Sequence, residues 1–307
     1  MFDAQRKNVW IETNNKTTLF GREYTVVLPK LRDARWIQIL SLTTFNTLGQ
    51  LVYRFHINPL QIVLVVGTCM ALDFLLSAIR HRVLLFPISG MISALGISML
   101  LRVEYDPIMY VVFFVAGVLA IGSKHFLTIN GRHIFNPSNF AIAALLFFLG
   151  DAVAVTPAQW HPSPILIAFI VTCGIWVVKR AKVLDIAVTF VIAELVMLIL
   201  VDLYLKMHAY PIGLDIRDLL KAPAFLIFTF HMITDPRTAP MNPRARIVYC
   251  VGTAVLHWIL LGFHQHARGL FFSLLFFCSL APHLDTFFER HKTFGFPRLL
   301  ERRTATA

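Results

Sequence analysis

The chain has 307 residues, of which 57% are hydrophobic and only 15% are charged. Soluble domains carry about 25% charged residues, so this composition excludes an ordinary soluble protein and predicts an integral membrane protein with the lipid bilayer as its surroundings. The formal net charge of +11 does not indicate a nucleic-acid partner. Basic residues accumulate in the cytoplasmic loops of membrane proteins, and the sequence contains no basic soluble domain to bind nucleic acid.

Ten apolar segments have the length and composition of membrane-spanning helices, each of which needs about 20 residues. They lie in a membrane domain of residues 36–287, between a cytoplasmic N-terminal segment (1–35), which shows no signal peptide, and a basic cytoplasmic tail (288–307). The predicted spans are 37–54, 59–80, 84–102, 107–123, 138–155, 163–179, 184–205, 219–234, 247–263 and 269–287. The sequence therefore predicts an all-α integral membrane protein of ten spans.

The distribution of basic residues predicts the orientation of these spans. If the N-terminus is cytoplasmic, 22 of the 28 Lys and Arg residues lie on the cytoplasmic side, as the positive-inside rule requires. We therefore expect both termini at the cytoplasmic face of the inner (plasma) membrane. Ten spans also divide into five plus five, and an odd number of spans in each half allows an inverted repeat.

Two ionisable residues inside predicted spans are candidates for an ion or proton site, because such residues are costly in a bilayer and often functional. Asp73 lies in the second span, where Arg80 or Arg82 can neutralise it, and Glu194 lies near the middle of the seventh. The four cysteines lie far apart in apolar stretches and show none of the spacings of a metal site. We therefore predict no metal site.

Two polar stretches interrupt the apolar pattern, and we call residues 123–140 the first break and residues 234–243 the second break. Each contains an Asn-Pro pair, Asn136-Pro137 and Asn242-Pro243. Proline disfavours helix in the residue before it and is well suited to the first turn of a helix. Each pair therefore predicts a helix N-terminus with exposed backbone N–H groups, and the ten-span topology places both at the cytoplasmic face.

The side chains of the two breaks suit a flavin. An Asn side chain offers both a donor and an acceptor, which match the N–H and C=O groups on the pyrimidine edge of the ring, and helix N-termini bind anions. Cations would balance a phosphate or a reduced flavin, and Asp235 would pair with an arginine of the first break. The candidate cofactor-binding residues are Lys124, Arg132, Asn136, Pro137, Ser138, Asn139, Thr234, Asp235 and Arg237.

The same stretches resemble the NqrB/RnfD family. The resemblance includes a Ser-, Gly- and Ala-rich third span, residues 124–139, residues 232–240, an Arg268-Gly269 turn and residues 280–285, and it extends over roughly residues 70–290. The likeness is strongest to stand-alone members, some of which accompany natural-product biosynthesis. The resemblance implies a ten-span subunit of an ion-translocating redox complex. Such a subunit binds flavin and passes electrons to or from a redox partner protein or a diffusible carrier, and we assign it no catalytic residue.

One departure from the family concerns the form of the flavin. NqrB and RnfD carry a Ser-Gly-Ala-Thr motif in an outer loop, and its threonine is esterified to FMN. The corresponding loop here, residues 151–160, has Thr156 before a proline but lacks the Ser-Gly-Ala residues. We therefore predict that a flavin, FMN or riboflavin, is bound without a covalent bond.

Three other functions compete with this prediction. The chain is also compatible with a transporter or channel that has no redox cofactor and binds a small solute or ion at Glu194, or with a scaffold subunit that has lost its cofactor. A haem protein needs paired axial histidines on facing helices, and the span residues His231 and His257 are predicted to lie toward opposite faces. The haem alternative is therefore disfavoured, whereas the sequence leaves the first two open.

Overall fold

The computed structural model describes residues 10–19, 21–30, 33–52, 58–103, 108–155, 163–208, 219–220, 222–262 and 268–291. In this part of the chain ten helices account for most of the residues, and each of the ten predicted segments overlaps one of them. The helices are α1 Ala34–Leu51, α2 Pro59–His81, α3 Ile88–Leu100, α4 Met109–Phe126, α5 Pro137–Leu149, α6 Pro164–Arg180, α7 Leu184–Met207, α8 Pro223–Ile227 with a π-helical continuation Phe228–Met232, α9 Pro243–Gly262 and α10 Gly269–Arg290.

The helices differ in their capacity to cross a bilayer. Five of the described helices, α2, α4, α7, α9 and α10, are long and apolar enough to do so, whereas α3, α5 and α8 are shorter apolar helices. The 13 residues of α3 or α5 extend about 20 Å at 1.5 Å per residue, against a hydrocarbon core about 30 Å thick. The chain is thus a multi-pass membrane protein in which, among the described helices, five have spanning length and three apolar ones are shorter.

Short strands, which the all-α prediction omitted, continue or connect the helices. The first sheet contains β1 Trp10–Leu19 and β2 Arg22–Pro29, an antiparallel pair, with β3 Val83–Leu85 parallel to β2. In the second sheet β4 Leu101–Val103 pairs antiparallel with β7 Val153–Val155, and in the third β5 Thr128–Ile129 pairs with β6 Arg132–His133. Strands β3 to β7 are only two or three residues long, too short to show an alternating pattern in the sequence.

The pairing of β4 with β7 accounts for the backbone hydrogen bonds just after two of the short helices. Strand β4 follows α3 directly, and β7 follows α5 after the 3₁₀ turn Gly150–Ala152. Backbone at membrane depth has to find its hydrogen bonds inside the protein. The two strands bond to each other and so satisfy the backbone groups that the missing helical turns would otherwise have used.

The helices pack around one continuous apolar core. On one side of it α2 contacts α3 and α4, and on the other α9 contacts α7 and α10, while α5 contacts α3, α4 and α10. Small residues permit the closest approaches. The α-carbon of Gly174 on α6 lies directly against the ring of Phe230, so a Cβ there would be 2.3 Å from Phe230 Cγ.

The contact at Gly174 yields a prediction about stability. In Gly174→Ala the added Cβ would also lie 2.8 Å from Phe230 Cβ, an atom that no side-chain rotation moves away. Overpacking of this kind costs about 1–3 kcal/mol, more than the roughly 1 kcal/mol that alanine contributes to a helix relative to glycine. We expect a lower thermal unfolding midpoint for the variant in detergent, measured by loss of the monodisperse peak in size-exclusion chromatography.

Gly67→Ala on α2 is the matched control, because a Cβ at Gly67 meets nothing within 4 Å. That variant should unfold at the wild-type temperature or slightly above it. Equal midpoints for the two variants would contradict the close contact between α6 and α8.

Candidate functional site

The first break is a tight hairpin followed by a capped helix. Asn130 and Gly131 both have positive φ, 52° and 77°, the backbone that a two-residue hairpin turn requires and that Asn-Gly readily adopts. The turn reverses the chain between β5 and β6, and α5 then begins at Pro137. Asn136 caps this helix, since its Oδ1 accepts from the Asn139 N–H at 3.1 Å. The predicted helix start at Asn136-Pro137 is confirmed.

The second break ends in the same way. The Oδ1 of Asn242 accepts from the Arg244 N–H at 2.9 Å, and α9 begins at Pro243. The carboxylate of Asp285, on α10, accepts from the N–H groups of Met241 and Asn242, also at 2.9 Å. The start of α9 is therefore anchored to the neighbouring helix.

The side chain of Arg132 joins the two breaks. Its Nε donates to the carbonyl oxygen of Arg237 at 3.0 Å, and its Nη2 donates to the carbonyl oxygens of Pro236 at 3.1 Å and Ala239 at 3.0 Å. One guanidinium in the first break thus holds three carbonyls of the second. The two stretches lie together in the structure, 100 residues apart in sequence.

Asp235 has different partners from the arginine we expected. Its Oδ1 accepts from the Arg237 N–H at 2.9 Å, and its Oδ2 accepts from Asn136 Nδ2 at 3.3 Å. The Nε2 of His133 lies 3.6 Å from the same Oδ2. The guanidinium of Arg132 instead donates to three backbone carbonyls of the second break, because the turns of that break direct them toward it.

The surroundings of His133 and Asp235 shift the pKa of both side chains. Burial lowers the pKa of His133 below its ordinary 6.5, and the nearby carboxylate of Asp235 offsets this only in part. Burial acts to raise the pKa of Asp235, but His133, the Arg237 N–H and the charge of Arg237 outweigh it, so this pKa lies below its ordinary 3.8. At neutral pH the site therefore contains a carboxylate and a neutral imidazole.

The shift at His133 predicts how stability depends on pH. The unfolded chain protonates His133 more readily than the folded chain does, so the folded state loses stability as the pH falls below the ordinary pKa of 6.5. The contribution of Asp235, whose pKa is also lowered, is lost only in more acidic solution. His133→Gln should therefore show a smaller drop in thermal midpoint than wild type between about pH 7.5 and about pH 5.5.

A matched control for this comparison is His291→Gln at the exposed end of α10. Its drop over the same interval should equal that of wild type. If the thermal midpoint of the His133 variant falls as steeply as that of wild type, protonation of His133 does not cause the loss of stability.

Asp73 lies next to the first break and is completely buried. Its carboxylate oxygens lie 2.6 and 2.7 Å from Lys124 Nζ, Oδ1 lies 2.9 Å from His125 Nε2, and Oδ2 accepts from the Gly90 N–H at 3.0 Å. The partners of Asp73 are thus residues at the end of α4 and not Arg80 or Arg82. Lys124, which we expected to neutralise a cofactor, instead neutralises this carboxylate.

Removal of this charge should be costly. Asp73→Asn leaves the ammonium of Lys124, whose side chain is 13% exposed, without its counter-charge, and breaking a buried pair costs about 3–5 kcal/mol. The double variant Asp73→Asn/Lys124→Met removes both charges and should recover part of the lost stability. Thermal midpoints of both single variants and the double variant measure the coupling, and strictly additive losses would contradict a direct pair.

The N-terminal turn of α5 contains two buried polar side chains, Ser138 and Asn139, and the latter is completely buried. Ser138 Oγ donates to the Ser93 carbonyl oxygen on α3 at 3.0 Å, and Asn139 Nδ2 donates to the Phe271 carbonyl oxygen on α10 at 3.0 Å. The Oδ1 of Asn139 is buried without a hydrogen-bond partner among the described residues, as is Nε2 of His133. Pro137 and Thr234 are buried as well.

Glu194, the other ion or proton candidate, belongs to a separate cluster with His257 and Trp258. His231 lies in the π-helical turn after α8 and packs edge-on against Phe45, with ring centroids 6.2 Å apart. The two span histidines therefore have different neighbours. Thr156, on which the prediction of a non-covalent flavin depends, lies outside the described residues, as do parts of both terminal segments.

Sequence reasoning missed three residues with evident roles: His133, Asp285 as an anchor for α9, and Trp258. Two of them have a signal in the sequence. His133 follows the Asn-Gly turn by two residues and so lies on the short hairpin, and Trp258 is adjacent to a span histidine. An indole N–H next to a buried ionisable group usually has a hydrogen-bond partner.

Comparison with known proteins gives one family. The NQR2, RnfD, RnfE family profile matches residues 153–295, just under half of the chain, from β7 through α10 with the second break included. No curated protein matches the chain. The fold is that of a multi-pass membrane protein with two joined helix breaks, and over residues 153–295 the resemblance to this family of membrane redox-complex subunits is confirmed.

Proposed function

We propose that the whole chain is a subunit of the NqrB/RnfD type, in the stand-alone branch, that binds a flavin non-covalently and mediates electron transfer in a membrane. The family match over residues 153–295 supports the class. The observation that carries the flavin proposal is the buried Oδ1 of Asn139, which has no hydrogen-bond partner in the described structure. This atom lies in the first turn of α5, in the first break, whose sequence resembles the NqrB/RnfD family.

The chemistry of the first break fits the ring of a flavin. An unpaired buried acceptor costs about 1–3 kcal/mol, and such groups in native proteins call for an explanation. A ligand N–H directed at Asn139 Oδ1 supplies one. His133 Nε2 is also buried and lies 3.6 Å from Asp235 Oδ2, too far for a direct hydrogen bond, so we assign it a second polar contact to the ring. The pyrimidine edge of a flavin carries N–H and C=O groups side by side, so it can supply a donor to Asn139 Oδ1 and a polar contact to His133.

Other candidate residues hold Asn139 and His133 in position. Arg132 and Asn136 connect the first break to the second through Asp235 and its neighbouring carbonyls, Lys124 neutralises Asp73, and Ser138 fixes α5 against α3. Lys124 and Arg132 therefore have internal partners, so the proposed ring contacts come from Asn139 and His133. A bound flavin supplies the redox chemistry, while the protein supplies position and electrostatics.

The membrane topology is part of the proposal. We propose ten spans with both termini cytoplasmic in the inner membrane and two halves of five spans in inverted orientation. The ten described helices and the unequal distribution of Lys and Arg support it. The electron donor and acceptor are a partner redox protein or a diffusible carrier.

The visible absorption spectrum of the purified chain tests the proposal. We expect flavin bands that bleach on addition of dithionite, and a flavin that acid precipitation releases from the protein. Asn139→Ala should lose most of the flavin, because it removes a buried side-chain acceptor that has no partner in the described structure. Flavin content per protein is the measured quantity.

The matched control is Asn46→Ala on α1. Asn46 is also a buried Asn, but its Nδ2 donates to the Leu42 and Leu95 carbonyl oxygens and its Oδ1 accepts from Ser98 Oγ. That variant should be less stable but retain its flavin. A colourless wild-type protein would overturn the proposal and favour the transporter or scaffold function, and equal flavin in both variants would overturn the assignment of Asn139.

A further inference from the structure

A second buried cluster lies in the middle of α7, away from both breaks. Glu194 is completely buried, and its Oε1 and Oε2 lie 3.0 and 3.1 Å from Nδ1 of His257. The indole Nε1–H of Trp258 donates to Oε2 at 2.9 Å. His257 and Trp258 are consecutive residues of α9, so one short segment of that helix surrounds the carboxylate.

The cluster is suited to bind a proton. A lone charge in a low-dielectric interior is unfavourable, so a buried carboxylate is neutralised by protonation or by a paired cation. Here one proton shared between Glu194 and Nδ1 of His257 makes the pair neutral. When the pair gives up the proton on Nε2, the shared proton stays on Nδ1, so the indole N–H and the imidazole Nδ1–H both donate to the carboxylate. Hydrogen bonds thus support the cluster in both protonation states.

The other acidic groups of α7 have partners of their own. On α7, Asp185 pairs with Arg246 of α9 at 2.8 Å and Asp202 pairs with Lys206 at 2.6 Å. These residues are eight or more positions from Glu194, about 12 Å along the helix.

The remaining neighbours give no counter-charge either. The ionisable residue of α8 is His231, which packs on Phe45, and the basic residues of α6 lie in its last turn. On α10, Arg268 pairs with Asp151, and the acidic and other basic residues lie toward the opposite end. Within the described structure, a proton is therefore the charge that neutralises Glu194.

The imidazole of His257 lies close to the end of the helix bundle. A Cβ on Gly269, the first residue of α10, would lie 3.1 Å from Cδ2 of His257, so the ring edge packs against the start of that helix. Arg268, one residue earlier, pairs with the fully exposed carboxylate of Asp151. The imidazole thus contacts Glu194 through Nδ1 and the start of α10 through its ring edge.

The donors around Glu194 disfavour a metal ion. Hard cations are bound by about six to eight oxygens, whereas two N–H donors face this carboxylate. The described residues also contain no group of three or more His, Cys, Asp or Glu side chains that could hold a metal ion.

We propose that Glu194 and His257 form a proton-binding site that exchanges one proton with water at the end of the bundle where α9 meets α10. The proton binds between the carboxylate and Nδ1 and returns to water through the imidazole, and no electron is transferred in this step. The proposal does not depend on flavin binding.

Infrared difference spectroscopy of the full chain in lipid nanodiscs, between acidic and alkaline buffer, tests the site. We expect the carbonyl band of a protonated carboxylic acid in wild type, shifted by deuterated water. Glu194→Gln should remove it, because the amide keeps the shape of the side chain but cannot titrate. Trp258→Phe should shift its frequency without removing it, because the carboxyl group loses one of its hydrogen bonds.

Asp202→Asn, on the same helix and at an exposed ion pair, is the control and should leave the band unchanged. The proposal is overturned if wild type shows no such band, or if Glu194→Gln shows the same band as wild type while remaining monodisperse. A band lost equally in Glu194→Gln and Asp202→Asn would also overturn it, because the loss would then reflect disturbance of α7 as a whole.

Discussion

The contact on which this structure depends is the guanidinium of Arg132 bound to three backbone carbonyls of the second break. A chain that leaves helical geometry in or near a bilayer has to satisfy its backbone groups within the protein. The second break, a series of turns between the π-helical end of α8 and the start of α9, meets this requirement with a side chain from the first. The second break therefore depends on the first, and we predict that the two behave as one unit.

In the described structure, Lys124, Arg132 and Asp235 have partners within the protein, whereas two side-chain atoms of the breaks, Asn139 Oδ1 and His133 Nε2, are buried without a hydrogen bond. The carboxylate of Asp73 is satisfied by Lys124 and a backbone N–H, and Asp235 by Asn136 and its own turn. The Oδ1 of Asn139, by contrast, has no partner within the described residues. The polar residues of the breaks thus act chiefly as scaffold, and a small number of atoms remain for a ligand.

The sequence predicted the positions of the helices and the two breaks well, because long apolar segments and Asn-Pro pairs are local signals. It predicted pairings less well, because these depend on which residues converge in space. Lys124 was expected to face a cofactor but neutralises Asp73, and Arg132 was expected to bind an anion or Asp235 but binds carbonyls. The short helices α3 and α5 were predicted as full spans, since the apolar strands that continue them have the same hydropathy as helix.

Hydrogen–deuterium exchange of the second break in an Arg132→Met variant tests most directly whether the two breaks are one unit. Methionine fills similar space but donates no hydrogen bonds to the carbonyls of residues 236, 237 and 239. We predict that amide exchange across residues 234–242 becomes much faster in the variant, about 100 residues away in sequence, while exchange in α2 is unchanged. Wild-type exchange rates throughout residues 234–242 would contradict the account.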